Sequence, residues 1–75
     1  MNIKKGNPLQ KGSTKQKDGY NFAIASAAEI IYLLLYAPKA DEPEYRIELT
    51  EAYKTGVVFS VHISGVYLDK YLYCY

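Results

Sequence analysis

Apolar and polar side chains alternate along four short segments of this chain. In the clearest of them, Tyr45, Ile47 and Leu49 alternate with charged residues. Because successive side chains of a β-strand point to opposite faces, this period of two predicts strands with one apolar face. The four segments are residues 20–26, 44–49, 57–63 and 67–75.

A fifth segment, SAAEIIYLLLYA at residues 26–37, fits either a helix or a strand. Ser26 and Glu29 match the S-x-x-E motif that caps many helices, and the apolar residues after them would share one helical face. As a strand, the same segment would be apolar on both faces. Since the other four segments predict strands, we favour a strand over residues 30–36, central in its sheet and covered on both faces.

Turn-forming residues separate the predicted strands, which indicates an antiparallel all-β domain. They are Pro38, Pro43, Gly56 and Gly65. The first residues of the chain, by contrast, are polar, rich in lysine and without a sustained apolar period. The sequence therefore predicts an extended N-terminal lead-in over residues 1–17 and one β-module over residues 18–75.

Composition narrows the classes of function. A chain of 75 residues forms one domain with a thin core, and its net charge of +1 does not indicate a nucleic-acid partner. Cys74 is the only cysteine, so neither an intrachain disulfide nor a cysteine-based metal cluster can form. The longest apolar run, residues 30–37, is far shorter than the ~20 residues of a membrane-spanning helix, and no signal-peptide pattern opens the chain. We therefore expect a cytoplasmic protein without a membrane partner.

A series of short phrases runs along nearly the whole chain. Their order and spacing resemble the N-terminal module of glycogen-debranching enzymes, isoamylases and type I pullulanases. That module has, in order, a Pro-Leu-Gly-Ala-Thr-like phrase, a Gly-x-Asn-Phe-Ala-x-x-Ser phrase and an Ala-x-x-Val-x-Leu-x-Leu-like strand. A further strand follows, then a Gly-x-Val-Trp-like strand and a Tyr-x-Tyr strand. The matching residues are Pro8-Leu9 with Gly12-Ser13-Thr14, residues 19–26, residues 28–36, residues 45–49, Gly56-Val57-Val58-Phe59 and Tyr71-Leu72-Tyr73.

This resemblance implies both a fold and a role. The family module is an immunoglobulin-like antiparallel β-sandwich of the early-set type, classed as carbohydrate-binding family 48, and it precedes the catalytic barrel of glycoside hydrolase family 13. By resemblance, this chain would be a non-catalytic module that braces the barrel of an enzyme hydrolysing α-1,6-glucosidic bonds and contacts glycogen, starch or pullulan. Because the family strand continues beyond the position of Tyr75, we expect a sandwich truncated at its C-terminus.

The residues themselves offer no catalytic or metal site. Retaining α-glucan hydrolysis requires two carboxyl groups about 5 to 5.5 Å apart in a cleft. The acidic residues between Asp41 and Glu51 lie instead in a predicted turn and on the polar face of one strand. His62, the only histidine, lies on the polar side of its strand without a nearby cysteine or paired carboxylate. We expect no catalytic residue, no metal and no cofactor in this chain.

Nine tyrosines are the residues best suited to binding a ligand. The chain has no tryptophan, which is a departure from the family, because its glycogen-targeting members bind sugar with tryptophans. A sugar ring stacks its C–H face on an aromatic ring, while its hydroxyls form hydrogen bonds at the rim. Tyr53, Tyr67 and Tyr71 lie at or near predicted strand ends and are the candidate carbohydrate-binding residues; packing is the alternative role of each. Two other functions stay open: an autonomous glycogen- or starch-binding module, and a small β-sheet domain that binds protein through tyrosines.

Overall fold

The computed structural model describes all 75 residues and consists mainly of β-strands and their connections. Its only helix is a single 3-10 turn, Glu51–Tyr53, so the structure has no helix that could span a bilayer. The all-β prediction is confirmed. The strands are β1 Asn2–Lys5, β2 Gly12–Gln16, β3 Gly19–Ala25, β4 Ile31–Tyr36, β5 Tyr45–Leu49, β6 Lys54–Thr55, β7 Val58–Ser64 and β8 Leu72–Cys74.

These strands form two antiparallel sheets. Sheet A has the order β1–β7–β3–β2, with the short β6 also paired to β7, and sheet B has the order β5–β4–β8. The inner faces of both sheets contribute to one hydrophobic core, which makes the arrangement a β-sandwich. The ten core residues are Tyr20, Phe22, Leu33, Leu35, Ile47, Leu49, Phe59, Val61, Ile63 and Leu68.

The ambiguous segment at residues 26–37 forms a strand, as predicted. β4 pairs with β5 on one side and with β8 on the other, so it is the central strand of sheet B. The S-x-x-E motif caps no helix here. Instead, the Ala28 backbone N–H donates to the Ser26 hydroxyl at 3.1 Å, and the Ser26 N–H donates to the Val57 carbonyl at 2.7 Å. Ser26 thus stabilises the bend that leads into the strand.

The prediction that this strand is covered on both faces is wrong. Leu33 and Leu35 on its inner face are fully buried, whereas Tyr32 on its outer face is 38% exposed. The reason is that sheet B packs against sheet A on one side only, and nothing covers its other side. Apolar residues on both faces of a strand therefore do not by themselves indicate a buried sheet.

The last predicted strand is shorter than expected. Only Leu72–Cys74 pair with β4, while the preceding residues form a loop that connects β7 to β8. Within this loop the Tyr71 N–H donates to the Leu68 carbonyl at 3.0 Å, which closes a turn. Leu68 itself is 5% exposed and belongs to the core. The loop is thus anchored by an apolar residue that the period-two pattern placed in a strand.

The predicted N-terminal lead-in contains two strands of sheet A. β1 pairs with β7, and β2 pairs with β3, so they form the two edges of the sheet. All four residues of β1 are exposed, and β2 has no buried residue. Because an edge strand can be held by backbone hydrogen bonds alone, these segments lack the apolar alternation that identifies the other strands.

The connection between β1 and β2, residues 6–11, crosses the outer face of sheet A. Asn21, which is 1% exposed, holds it there with three hydrogen bonds. Its Oδ1 accepts from the Asn7 N–H at 2.6 Å, and its Nδ2 donates to the carbonyls of Asn7 and Gln10 at 3.0 and 3.2 Å. Gly6 lies so close to Asn21 and to β7 that a Cβ added to Gly6 would be 2.5 Å from Asn21 Oδ1 and 2.8 Å from the Val61 backbone. The crossing therefore requires the side-chain amide of Asn21 and a glycine at position 6.

Candidate functional site

The three candidate tyrosines do not form a single site. Tyr53 lies in the 3-10 turn and packs partly buried against the core. Tyr67 and Tyr71 both belong to the loop between β7 and β8; Tyr67 is 67% exposed, and Tyr71 is partly buried. The structure therefore brings two of the candidates to one region and leaves Tyr53 elsewhere.

Tyr67 and Tyr71 line an open cleft at the side of the sandwich, between the edge strands β2 and β8. It consists of two adjoining hollows, of about 310 and 340 Å³, which share Lys15 and Tyr20. We call it the tyrosine cleft, and its principal residues are Ser13, Lys15, Tyr20, Tyr67, Leu68, Asp69, Tyr71 and Tyr73.

Asp69 is the centre of the polar contacts in the tyrosine cleft. Its Oδ2 accepts from Lys15 Nζ at 2.7 Å, and its Oδ1 accepts from the Tyr20 hydroxyl. The Tyr20 oxygen in turn accepts from the buried Leu68 N–H at 2.9 Å. These contacts tie the loop before β8 to strands β2 and β3. They also neutralise the charge of Lys15 inside the cleft.

These contacts shift several pKa values. The hydrogen bond from Lys15, followed by that from Tyr20, lowers the pKa of Asp69 because both stabilise the carboxylate. The same bond raises the pKa of Lys15, and the neighbouring Asp69 carboxylate raises the pKa of Tyr67. At neutral pH the cleft therefore contains the Lys15–Asp69 ion pair and a protonated Tyr67 phenol.

We expect the Asp69 carboxyl to titrate below the ordinary value of 3.8 in the folded protein. Its folded pKa is depressed, so the stability it contributes is present above the unfolded pKa and is lost as the pH falls through the folded pKa. Carboxyl NMR of Asp69 during acid titration measures the midpoint. Lys15→Met should move the midpoint upward, whereas Lys5→Met on β1 should not; equal midpoints in all three proteins would contradict the assigned cause.

The aromatic rings of the cleft are held by neighbouring rings. Tyr71 stacks on Tyr45 with ring centroids 6.2 Å apart and planes inclined by 29°. Its hydroxyl donates to Glu44 Oε2 at 2.6 Å, and this contact raises the pKa of Tyr71 to about 12. Tyr73 meets Phe22 edge to face at 5.4 Å across the two sheets, yet remains 41% exposed. Rings held in this way lose little entropy when a ligand stacks on them.

Six residues of the cleft were not among the predicted site residues: Ser13, Lys15, Tyr20, Leu68, Asp69 and Tyr73. Lys15 and Asp69 are 54 positions apart in the chain, and no local pattern links them. Tyr73 could have been predicted from the sequence, because it follows Tyr71 by two positions in an alternating segment. The cleft is thus a product of strand order, which brings β2 beside β8.

A second surface lies on the outer side of sheet B. Its central feature is a shallow depression of about 500 Å³, where Arg46 lies 4.5 Å from the centre of the Tyr32 ring. Ile30 is 49% and Leu72 is 69% exposed at its margins. We call it the apolar face, and its residues are Ile30, Tyr32, Leu34, Tyr36 and Leu72. Contiguous exposed apolar residues of this kind are typical of docking surfaces.

His62 lies on the side of its strand that faces away from the core, as predicted, but it is buried there. It is 5% exposed on the outer side of sheet A, and its Nε2 lies 3.5 Å from Asp18 Oδ1 without forming a hydrogen bond. Gly19 packs against the same imidazole so closely that a Cβ would be 2.8 Å from Nε2. No group of three or more His, Cys, Asp or Glu side chains is arranged to hold a metal ion.

Comparison with models of protein families, with curated proteins and with solved structures yields no match to this chain. Function is therefore inferred from the residues and their geometry.

Proposed function

We propose that this chain is a non-catalytic, immunoglobulin-like module of an α-glucan debranching enzyme, and that it contacts glucan through the tyrosine cleft. The observation that carries this proposal is the cleft itself. It presents tyrosine rings beside hydroxyl, ammonium and carboxylate groups in an open groove on a rigid sheet edge.

The chemistry of the cleft suits a neutral sugar. Tyr67 and Tyr73 expose ring surface on which the C–H face of a glucose unit can stack. Ser13 and the exposed Lys15 ammonium supply partners for sugar hydroxyls at the rim. Because Asp69 neutralises Lys15, the groove has no excess charge that would favour an anionic ligand.

The phrase Gly-Tyr-Asn-Phe-Ala, which carries much of the resemblance to debranching enzymes, occupies constrained positions in sheet A. A Cβ at Gly19 would lie 2.3 Å from the Ile63 carbonyl oxygen, so only glycine fits. Asn21 holds the crossing connection, and Phe22 and Ala23 are 3% and 2% exposed. Each residue of the phrase thus has a structural reason to be retained in a module of this type, which supports the proposal.

Titration with maltoheptaose and with a branched dextrin, followed by amide and tyrosine-ring NMR shifts, tests glucan binding. We expect shifts concentrated at the tyrosine cleft, with a dissociation constant in the millimolar range. Tyr67→Ala and Tyr73→Ala should each weaken binding by about tenfold, because each removes an exposed stacking surface.

Tyr32→Ala is the matched control, since Tyr32 is a partly exposed tyrosine on the apolar face. Its affinity should equal that of the unaltered protein. Unchanged spectra at saturating sugar, or equal losses in the Tyr32 and Tyr67 variants, would refute glucan binding at the cleft.

A second candidate function is docking to another protein domain through the apolar face. It is favoured by the exposed apolar residues on the outer side of sheet B. The resemblance suggests the catalytic barrel as the partner, which the module would brace. The sugar titration separates the two surfaces, because only the cleft variants should lose affinity for glucan.

A further inference from the structure

The four outermost strands of the two sheets differ in how they are protected against pairing with another strand. Charged side chains on an edge strand discourage such pairing. Three of the edges contain them: Lys4 and Lys5 in β1, Lys15 in β2, and Arg46 and Glu48 in β5. β8 contains none, and the whole segment of residues 71–75 is uncharged. It is the unprotected edge of the structure.

The surroundings of β8 are also open. The tyrosine cleft lies along the edge of β8 that is not paired with β4. Side chains of β2 line this groove, and no strand of sheet B covers them. The two faces of β8 are themselves exposed, since Leu72 is 69% and Tyr73 is 41% accessible. An additional strand at this edge would cover both residues, and it would therefore compete with glucan for Tyr73. It would meet no obstructing element of sheet B.

We propose that β8 pairs with β8 of a second copy of this chain, antiparallel and about a two-fold axis. Such pairing joins the two B sheets into one six-stranded sheet. Because each copy uses the same edge, the assembly ends at two copies. Antiparallel self-pairing of an uncharged strand places no like charges opposite each other. The nearest lysine of the cleft, Lys15, is already neutralised by Asp69 at 2.7 Å. A second copy is therefore electrostatically compatible with this edge.

Because β8 has three residues, the interface is small and the dimer is weak, with a dissociation constant in the micromolar to millimolar range. Sedimentation equilibrium of the full chain over a range of concentrations measures it. Leu72→Lys places a charge on the pairing strand of both copies, so the dissociation constant should rise by at least about tenfold.

Two lysine variants serve as controls for this experiment. Val57→Lys alters a residue that is 62% exposed in the turn before β7, a close match to the exposure of Leu72. Ile30→Lys alters the apolar face away from β8. Both should dimerise as the unaltered chain does, and circular dichroism should show the same β-sheet spectrum for all proteins.

Isotope-filtered NOE spectra of mixed labelled and unlabelled chains then locate the interface. We expect intermolecular contacts among β8 protons. A chain that remains monomeric at millimolar concentration overturns the proposal. So does a dimer that Ile30→Lys weakens as much as Leu72→Lys, or one whose intermolecular contacts exclude β8.

Discussion

Replacing Phe59 with alanine is expected to remove a large part of the stability of this protein. The Phe59 side chain is fully buried in β7, one of the two strands of sheet A that are paired on both sides. Large-to-small substitutions of buried phenylalanine cost about 3 to 5 kcal/mol, because apolar contacts are lost and a cavity remains. A domain of this size has a total stability of roughly 4 to 11 kcal/mol. Urea denaturation followed by circular dichroism measures the loss.

Phe59→Leu is the control for this prediction, since it keeps most of the apolar volume and should cost less than about 1.5 kcal/mol. Val57→Ala provides a second comparison, because Val57 is 62% exposed just before the same strand. A loss below about 1 kcal/mol for Phe59→Ala would mean that the core does not depend on this ring, contrary to the packing described here.

The second large effect is expected for Asn21→Ala. This change removes all three hydrogen bonds that hold residues 6–11 on the outer face of sheet A. Each of these bonds is partly buried, and a hydrogen bond contributes about 0.5 to 1.5 kcal/mol net, so we expect a total loss of about 3 kcal/mol. Amide exchange at Gly6, whose N–H donates to the Ser60 carbonyl at 3.2 Å, should also become faster.

Asn7→Ala is the matched control for the second prediction. The Asn7 side chain accepts one exposed hydrogen bond, from the Leu9 N–H at 2.9 Å, and its loss should cost less than about 1 kcal/mol. Equal destabilisation by the two asparagine variants would show that the amide of Asn21 does not hold the connection. Unchanged exchange at Gly6 in the Asn21 variant would lead to the same conclusion.

Four strands, β3, β5, β7 and β8, were predictable from the sequence because apolar and polar side chains alternate along them. In β5, Ile47 and Leu49 are buried while Arg46 and Glu48 are exposed, as the period of two requires. β4 was predictable only from its neighbours, since its own capping motif indicated a helix. Its conformation is determined by pairing with β5 and β8, and a local motif does not encode this pairing.

The first two strands and the cleft were not predictable in this way. Strands β1 and β2 are held at sheet edges by backbone hydrogen bonds, which any side chain permits. Of the candidate tyrosines, Tyr67 and Tyr71 lie in the cleft and Tyr53 does not. Proximity to a strand end was the criterion for all three, and it does not specify which strand ends meet in space.

By itself, the sequence determined the fold class and most strands, because a side chain's preference for core or water acts locally and repeats along the chain. Only the tertiary structure decided which surfaces are open. The outer face of β4 is exposed because no third layer covers sheet B, whereas His62 is buried on the outer side of sheet A, against Gly19. The meeting of Lys15 with Asp69 likewise depends on strand order. Strand order depends on the packing of the whole chain, and a local pattern does not encode it.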